Sequence, residues 1–267
     1  MLLYELKRRL TNRARATERI LTIRALPRRT RWQLLVKLVR QKRSGFDLAL
    51  PVGKVQFPAR TLPEDLGVFF EIFYHLEYAC DYRGAVVIDV GAHKGYFGAY
   101  ACSQGAKRVI SYEPQSENFD ALRAAAASFT VTGRDWQVHR AAVTSSTGEA
   151  ELRVSGESWT HSLLPLPDGA RREVGQERVS TIAMREILKE IPLDESPRVV
   201  KVDAEGAECM IILDTAPEDW RNVDVVFVEI HDQAPCSVGE IVTHLQAADL
   251  GLVRRQREVL QFARSRD

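Results

Sequence analysis

The chain reads as an α/β fold: a mostly parallel sheet with helices on both faces, a reversed last strand, and an N-terminal helical arm. Three observations predict it. Val86, Val87, Ile88 and Val90 form an apolar run of the kind found in strands buried on both faces, and Gly91 and Gly95 then bend the chain into a buried helix from Tyr96. Three further runs, beginning at Val109, Arg198 and Val225, each end in polar residues before a helical stretch. Last, Leu252–Gln256 and Val259–Ala263 read as a closing hairpin.

Composition sets the bounds. A chain of 267 residues, 45% apolar, can bury one large core plus an appendage and is not broadly disordered. Cys80, Cys102, Cys209 and Cys236 lie far apart with no CxxC pair. They point to neither a zinc site nor a disulfide framework, and fit a reducing compartment. No apolar run approaches a membrane span, and Glu5, Lys7, Arg8 and Arg9 break any signal-peptide core. The expected location is therefore cytoplasmic. Residues 1–43 hold fourteen Lys/Arg and two Glu, a net of +12, which leaves −11 for the remainder of a chain whose total is +1. This divides the chain into a basic arm, 1–45, and an acidic body, 46–267.

The arm reads as two helical pieces broken near Pro27. Leu2, Leu3, Leu6 and Leu10 can share a face of the first, and Trp32, Leu35, Leu38 and Val39 a face of the second. Such an arm packs on the body or a second subunit (a homo-oligomer), or lies on an anionic membrane surface. Nucleic-acid binding has no aromatic interleaving or motif to support it. Residues 46–62 read as a small hairpin. Pro63-Glu64-Asp65 opens a helix whose first-turn acids complement its dipole, with Phe69, Phe70, Ile72, Phe73 and Leu76 facing the core. Ser116 is the expected cap of helix 117–129, whose alanines 124–127 pack closely on the sheet. Gln137–Val143 reads as a third strand and Glu149–Val154 as a fourth, alternating one. Residues 155–178, with Trp159-Thr160-His161-Ser162, read as a loop at the site mouth. Glu177–Ile182 leads into a helix through Ile191. A helix at 237–248 is stopped by Gly251.

The chemistry lies at the strand ends. The first turn has the spacing D-x-G-x-x-x-G from Asp89 through Gly91 to Gly95. A dinucleotide fingerprint needs glycine where His93 and Tyr96 stand. The pattern resembles motif I of class I S-adenosylmethionine (SAM)-dependent methyltransferases. Glu113 ends the next strand 24 residues after Asp89, a distance at which acidic residues accept hydrogen bonds from ribose hydroxyls.

Taken in order, VIDVGAHKGYFG (87–98), SYEP (111–114), HRAAV (139–143), KVDAEGAE (201–208) and VFVEIHD (226–232) resemble the FkbM-type methyltransferase family. The resemblance covers about residues 62–232 and implies a Rossmann-like class I methyltransferase sheet. It also implies SAM as cofactor and O-methylation of a hydroxyl on a sugar, glycan or polyketide-type small molecule. It further implies that Asp89, Gly91 and Gly95 shape the methionine and ribose end of the cofactor site. Glu113 would hold the ribose, Pro114 the adenine side, and residues 138–141, including His139 and Ala141, would lie near adenine. His93 departs from the small or amide residue usual at its position but remains a cofactor contact, as does Asp203.

An alkyl hydroxyl is about as weak an acid as water, near 15.7, so a positioned base assists its attack on a methyl group. Asp203, Glu205, Glu229, His231 and Asp232 share the rim beyond the strand ends. His231 is the first candidate base, Asp203 the second, as base or orienter, and His161 the third. The rim could hold Mg²⁺ through oxygen ligands, yet no motif of metal-dependent O-methyltransferases is present, so no metal is expected. Two alternatives are a catalytically inactive cofactor-binding protein and a nucleotide-dependent oxidoreductase; the missing turn glycines disfavour the second.

Overall fold

The computed structural model describes residues 17–40, 44–166, 172–191, 197–231 and 234–265. Asp232 and the apolar face of Leu2, Leu3, Leu6 and Leu10 lie outside the described residues. The described part of the arm bends at Pro27, between a helical turn at 17–22 and α1 (Arg28–Arg40). Ile20, Ile23, Leu26 and Leu34 are buried in the main core. The expected shared face on α1 is divided. Leu35 and Leu38 pack inward beside Leu34, whereas Trp32, Val36 and Val39 are exposed. Positions 32, 36 and 39 recur at helical spacing, so they form their own outward stripe.

β1 (Phe46–Leu50) and β2 (Gly53–Phe57) form the expected hairpin, and α2 (Leu62–Phe73) follows. The central sheet then starts with β3 (Val86–Val90), α3 (Tyr96–Ser103), β4 (Arg108–Tyr112), α4 (Ser116–Thr130) and β5 (Asp135–His139). A small sheet intervenes, made of β6 (Ala142–Thr144), β7 (Gly148–Ser155) and β8 (Glu173–Ala183). After α5 (Met184–Glu190) the main sheet resumes with β9 (Arg198–Val202), α6 (Glu208–Leu213), α7 (Pro217–Trp220), β10 (Val225–Glu229), α8 (Val238–Gln246), β11 (Leu250–Gln256) and β12 (Val259–Arg264).

The order across the main sheet is β11-β12-β10-β9-β3-β4-β5. Strands β10, β9, β3, β4 and β5 run parallel, and β12 is antiparallel to both β10 and β11. This is the Rossmann-like class I methyltransferase sheet with its reversed strand. All five residues of β3 and of β9 are buried, because each strand has a core on both sides. Val87, Val199 and Phe227 enter the core beneath α2, α3 and α4; Val86, Ile88, Val200 and Val202 enter the core with Met184, Ile211 and Leu245. Alternating side chains thus leave on opposite faces, each full burial contributing about 1.5–3 kcal/mol.

Five local expectations need correction. Gln137–Val143 is not one strand: β5 ends at His139, and Ala142–Thr144 joins the small sheet in parallel with β8. Residues 155–178 are not all loop, since Glu173 begins β8, which pairs antiparallel with β7. Gln115, not Ser116, caps α4, its side chain accepting the backbone N–H of Asn118 at 2.8 Å. α8 ends at Gln246, and Gly251 lies within β11. Finally, Cys209 and Cys236 are joined in a disulfide, their Cα atoms 5.7 Å apart.

Candidate active site

The strand order reverses between β3 and β9, since β4 and β5 extend one way and β10 and β12 the other. Ligands of open α/β sheets bind beyond the carboxyl ends at such a switch point. Here that crevice holds a cavity of about 240 Å³. Gly91 turns the chain at its floor with φ +72°, and a Cβ there would stand 1.7 Å from the Asp203 carbonyl oxygen. Only glycine permits so close an approach. Lys201 ties the two strand ends together. Its Nζ lies 3.0 Å from Asp203, 3.5 Å from Asp89 and 2.8 Å from the Gly91 carbonyl oxygen, to which it donates. Burial disfavours the ammonium, but the Asp203 and Asp89 charges outweigh it and raise its pKa.

Several expected cofactor residues line the cavity: Gly91, His93, Glu113, Pro114, Ala141 and Asp203. Glu113 accepts the backbone N–H groups of His93 at 2.8 Å and Gln115 at 2.9 Å. Burial pushes its carboxyl up to about 8 against the pull of these two bonds. Three expected residues lie outside the wall. Asp89 is fully buried beneath it, bonded to Ser111 and facing Lys201. Gly95 precedes α3 with φ +87° and makes room for Leu122 and Trp136, so it serves helix packing. His139 stacks its ring on Tyr112, and its side chain is exposed because β5 is the sheet edge.

The other wall is rich in carboxylates. Asp203, Glu205 and His231 follow β9 and β10 and come together, their donor atoms within 4.8 Å of one another. His231 Nδ1 lies 2.9 Å from Glu208, and its Nε2 lies 3.5 Å from Glu205 and 3.7 Å from Asp203. Burial lowers its pKa, but the Glu208 bond and the Glu205 and Asp203 charges prevail and raise it to about 10. Glu229 accepts a hydrogen bond from the buried Tyr78 hydroxyl. Burial and the Asp203 charge push Glu229 up to about 8, and burial with Glu77 and Asp203 pushes Glu71 up to about 7. His161 also lines the cavity, but its Nδ1 accepts the Ser155 backbone N–H at 3.0 Å. Burial lowers His161 to about 4, so the neutral ring carries its proton on Nε2 and can donate there, not accept.

Ser158 and Trp159 form the roof. The Ser158 backbone N–H and hydroxyl both donate to Glu64 of α2, and its carbonyl accepts from Asn118 of α4. Below it, Lys94 of the first turn donates to Asp65 of α2 at 2.7 Å and to Thr61, which precedes α2, at 2.8 Å. The first-turn acids of α2 thus hold the roof as well as complement a dipole.

The domain model described as "Methyltransferase FkbM domain" matches residues 89–251, more than half of the chain. This chain belongs to the FkbM methyltransferase family. The structure of methyltransferase FkbM from Methylobacillus flagellatus KT is similar over 73% of this chain, at 16% identity and TM-score 0.49. It is matched over 47% of its own length, so this chain spans about half of it. Magnesium protoporphyrin IX methyltransferase from Synechocystis PCC 6803, solved with bound SAM, is similar over 76% of this chain and 81% of its own, at 11% identity and TM-score 0.42. No curated protein matches the chain.

The residues of this FkbM domain suit SAM. Glu113 keeps lone pairs beyond its two backbone bonds for ribose hydroxyls. His93 Nδ1 is buried with no hydrogen-bond partner among the described residues, an atom that a ligand would satisfy. The acidic wall suits a cationic sulfonium. Four contributors escaped the sequence reading: Lys201, Glu71, Glu208 and Ser158. Lys201 and Glu208 lay inside the KVDAEGAE motif, where a lysine between two valines of a buried strand was the available signal.

Proposed function

We propose that the chain uses SAM to methylate a hydroxyl oxygen on a sugar, glycan or polyketide-type acceptor. The observation that carries this reading is one cavity shared by the Gly91–Glu113 turns and the Asp203 rim, across the switch point of the sheet. When bound, SAM supplies a methyl carbon on a positively charged sulfur, open to displacement by an oxygen lone pair. Glu113 receives the ribose, and His93 Nδ1 gains its partner from the same ligand. Asp203 accepts the hydrogen bond of the acceptor hydroxyl and takes its proton as the oxygen attacks. Bonding favours Asp203 over His231, because Nδ1 of His231 is committed to Glu208 and Nε2 already faces two carboxylates. His161, protonated on Nε2, is a donor to the acceptor. Asp203→Ala is expected to lower turnover by about 10²–10⁴-fold while SAM affinity changes little. Labelled SAM with a panel of glycan and polyketide acceptors provides the assay; normal turnover in the variant removes Asp203 from the chemistry.

We further propose that α1 seats the protein on anionic membrane surfaces, where such acceptors are presented. Arg28, Arg29 and Arg40 share the exposed side of α1 with Trp32, Val36 and Val39. Each basic residue near such a surface contributes about 1 kcal/mol, and the apolar stripe adds to it. Deleting the arm is a poor test, because Ile20, Ile23 and Leu34 belong to the core. Replacing Trp32, Val36 and Val39 together with serine leaves that core intact. The full chain should pellet with phosphatidylserine vesicles at low salt and release at high salt, and the triple variant should pellet much less. Equal pelleting overturns the proposal.

A further inference from the structure

His93 carries a ring at a position where the backbone favours none. Its φ is +51°, a left-handed conformation that glycine adopts without steric cost. The ring nevertheless lines the cavity, with 12% of the side chain exposed. Its Nδ1 is buried and has no hydrogen-bond partner among the described residues. A side chain kept in a costly backbone conformation, with an orphaned buried nitrogen beside a cavity, points to a ligand.

The neighbours of the other nitrogen fix the tautomer. Nε2 lies 3.4 Å from the Ser158 hydroxyl oxygen and 3.9 Å from Asp65 Oδ1. Ser158 gives its one hydroxyl proton to Glu64 at 2.7 Å, so its oxygen meets Lys94, at 3.3 Å, and His93 as an acceptor. Both groups beside Nε2 are acceptors, and the ring proton sits there. Nδ1 then presents a lone pair, and its partner must be a donor. Burial first, and then the Lys94 charge, hold His93 well below the usual histidine range, so the ring keeps that lone pair.

SAM offers three kinds of donor: the ribose hydroxyls, the adenine amino group and the α-ammonium of its amino-acid end. Glu113, which receives the ribose, bonds the backbone N–H of His93, whereas the ring lies toward Ser158 and Asp65. Pro114 and Ala141, on the adenine side, follow β4 and β5, while His93 follows β3 on the other side of β4. Behind the ring, Lys94 pairs with Asp65 at 2.7 Å, which leaves Glu64 as an uncompensated negative charge in this group. That balance favours a cation at Nδ1. We propose that His93 receives the α-ammonium of the cofactor on Nδ1, with the Glu64–Ser158 hydrogen bond orienting the ring from behind. The assignment rests on the SAM reading and names the side chain that recognises the amino-acid end. Ser158 is also part of the roof, so the same bond ties the cofactor to the acceptor side of the cavity.

The test is calorimetry on the full chain with two ligands: S-adenosylhomocysteine, the demethylated product, and its analogue lacking only the α-amino group. His93→Gly accepts the left-handed backbone and removes the ring. It should weaken S-adenosylhomocysteine roughly tenfold to a hundredfold, the weight of a hydrogen bond to a charged group. The deaminated analogue should lose less than about threefold, because the pair being tested is absent from it. An unchanged affinity for S-adenosylhomocysteine overturns the proposal, as does an equal loss of both ligands in a variant with the wild-type melting temperature. If the variant melts early, Ser158→Ala decides. It keeps the ring and removes the acceptor of Nε2–H, so S-adenosylhomocysteine should weaken about twofold to tenfold and the analogue should not; equal affinities for both ligands before and after that change overturn the proposal. A wild type that binds neither ligand refutes the SAM reading and this assignment with it. One that binds both, with no selective loss in the variants, refutes this assignment alone.

Discussion

Replacing Lys201 with methionine tests whether the crevice floor is held by charge. The ammonium is 4% exposed and serves Asp89, Asp203 and the Gly91 carbonyl together. Methionine fills similar volume, so the main change is electrostatic. Asp89, with none of its side chain exposed, loses its only cation among the described residues within ion-pair distance. Breaking a buried pair in this way costs about 3–5 kcal/mol. At about 2–4 °C per kcal/mol for a domain of this size, the melting temperature should fall by roughly 10 °C. The loss should depend on pH. In the wild type, burial already raises the Asp89 carboxyl, and Lys201 opposes the shift. Without the lysine that pKa rises further above its unfolded value. A raised carboxyl favours the fold at pH below its unfolded pKa, and the benefit disappears as pH rises through the folded one. The deficit of the variant should therefore be smaller near pH 5 than near pH 8, a window above the range where ordinary carboxylates titrate. Urea unfolding across that range gives both numbers. A loss below about 1 kcal/mol at neutral pH, independent of pH, would equal a surface pair and refute the reasoning.

Two further outcomes follow from the cofactor side. Gly91→Ala sets a methyl group 1.7 Å from the Asp203 carbonyl oxygen at a left-handed φ, so β3 and β9 must part at their ends. SAM affinity measured by calorimetry should fall by more than about tenfold, one factor being about 1.4 kcal/mol, and an unchanged value would mean the close approach is incidental. Assayed above pH 8, where the Glu113 carboxyl is ionised, Glu113→Ala removes a charged acceptor from the ribose and leaves the His93 and Gln115 amides without it. Such bonds are worth about 1.5–3 kcal/mol, so binding should weaken roughly tenfold to a hundredfold. Wild-type affinity in that variant would take Glu113 out of the site.

The parts of the fold that could be read in advance share one property: their signal is local. β3, β9 and β10 are apolar runs because both faces are covered, and the turns after them carry their own glycine and carboxylates. The small sheet was missed because β8 carries Glu173, Gln176, Glu177 and Arg178 along its exposed half, and no apolar run marks it. The strand is held instead by pairing with β7. Within the site, Glu113 and Asp203 were legible as strand-end carboxylates. The destination of Asp89 was not, because Lys201, which draws it inward, lies 112 residues away. The same holds for Glu208, whose partner His231 is on a different segment and whose helix-start position resembled an ordinary dipole acid. His139 failed for another reason. Its strand was expected to continue to Val143, but β5 ends there at the sheet edge and the ring lies on Tyr112.

The Cys209–Cys236 bridge begins one residue after Glu208 and ends five residues after His231. The imidazole therefore sits inside a covalent ring that also contains β10, and the carboxylate it contacts is one residue outside the ring's first cysteine. Closing a ring of that length removes freedom from the open chain worth about 3–4 kcal/mol in the chain-entropy account. Opened by a thiol reductant, the ring leaves the imidazole aligned by noncovalent contacts alone. Such bridges persist in oxidising compartments and are reduced where glutathione is abundant. The stiffness of this rim is thus set partly outside the protein, by the thiol–disulfide balance of its surroundings.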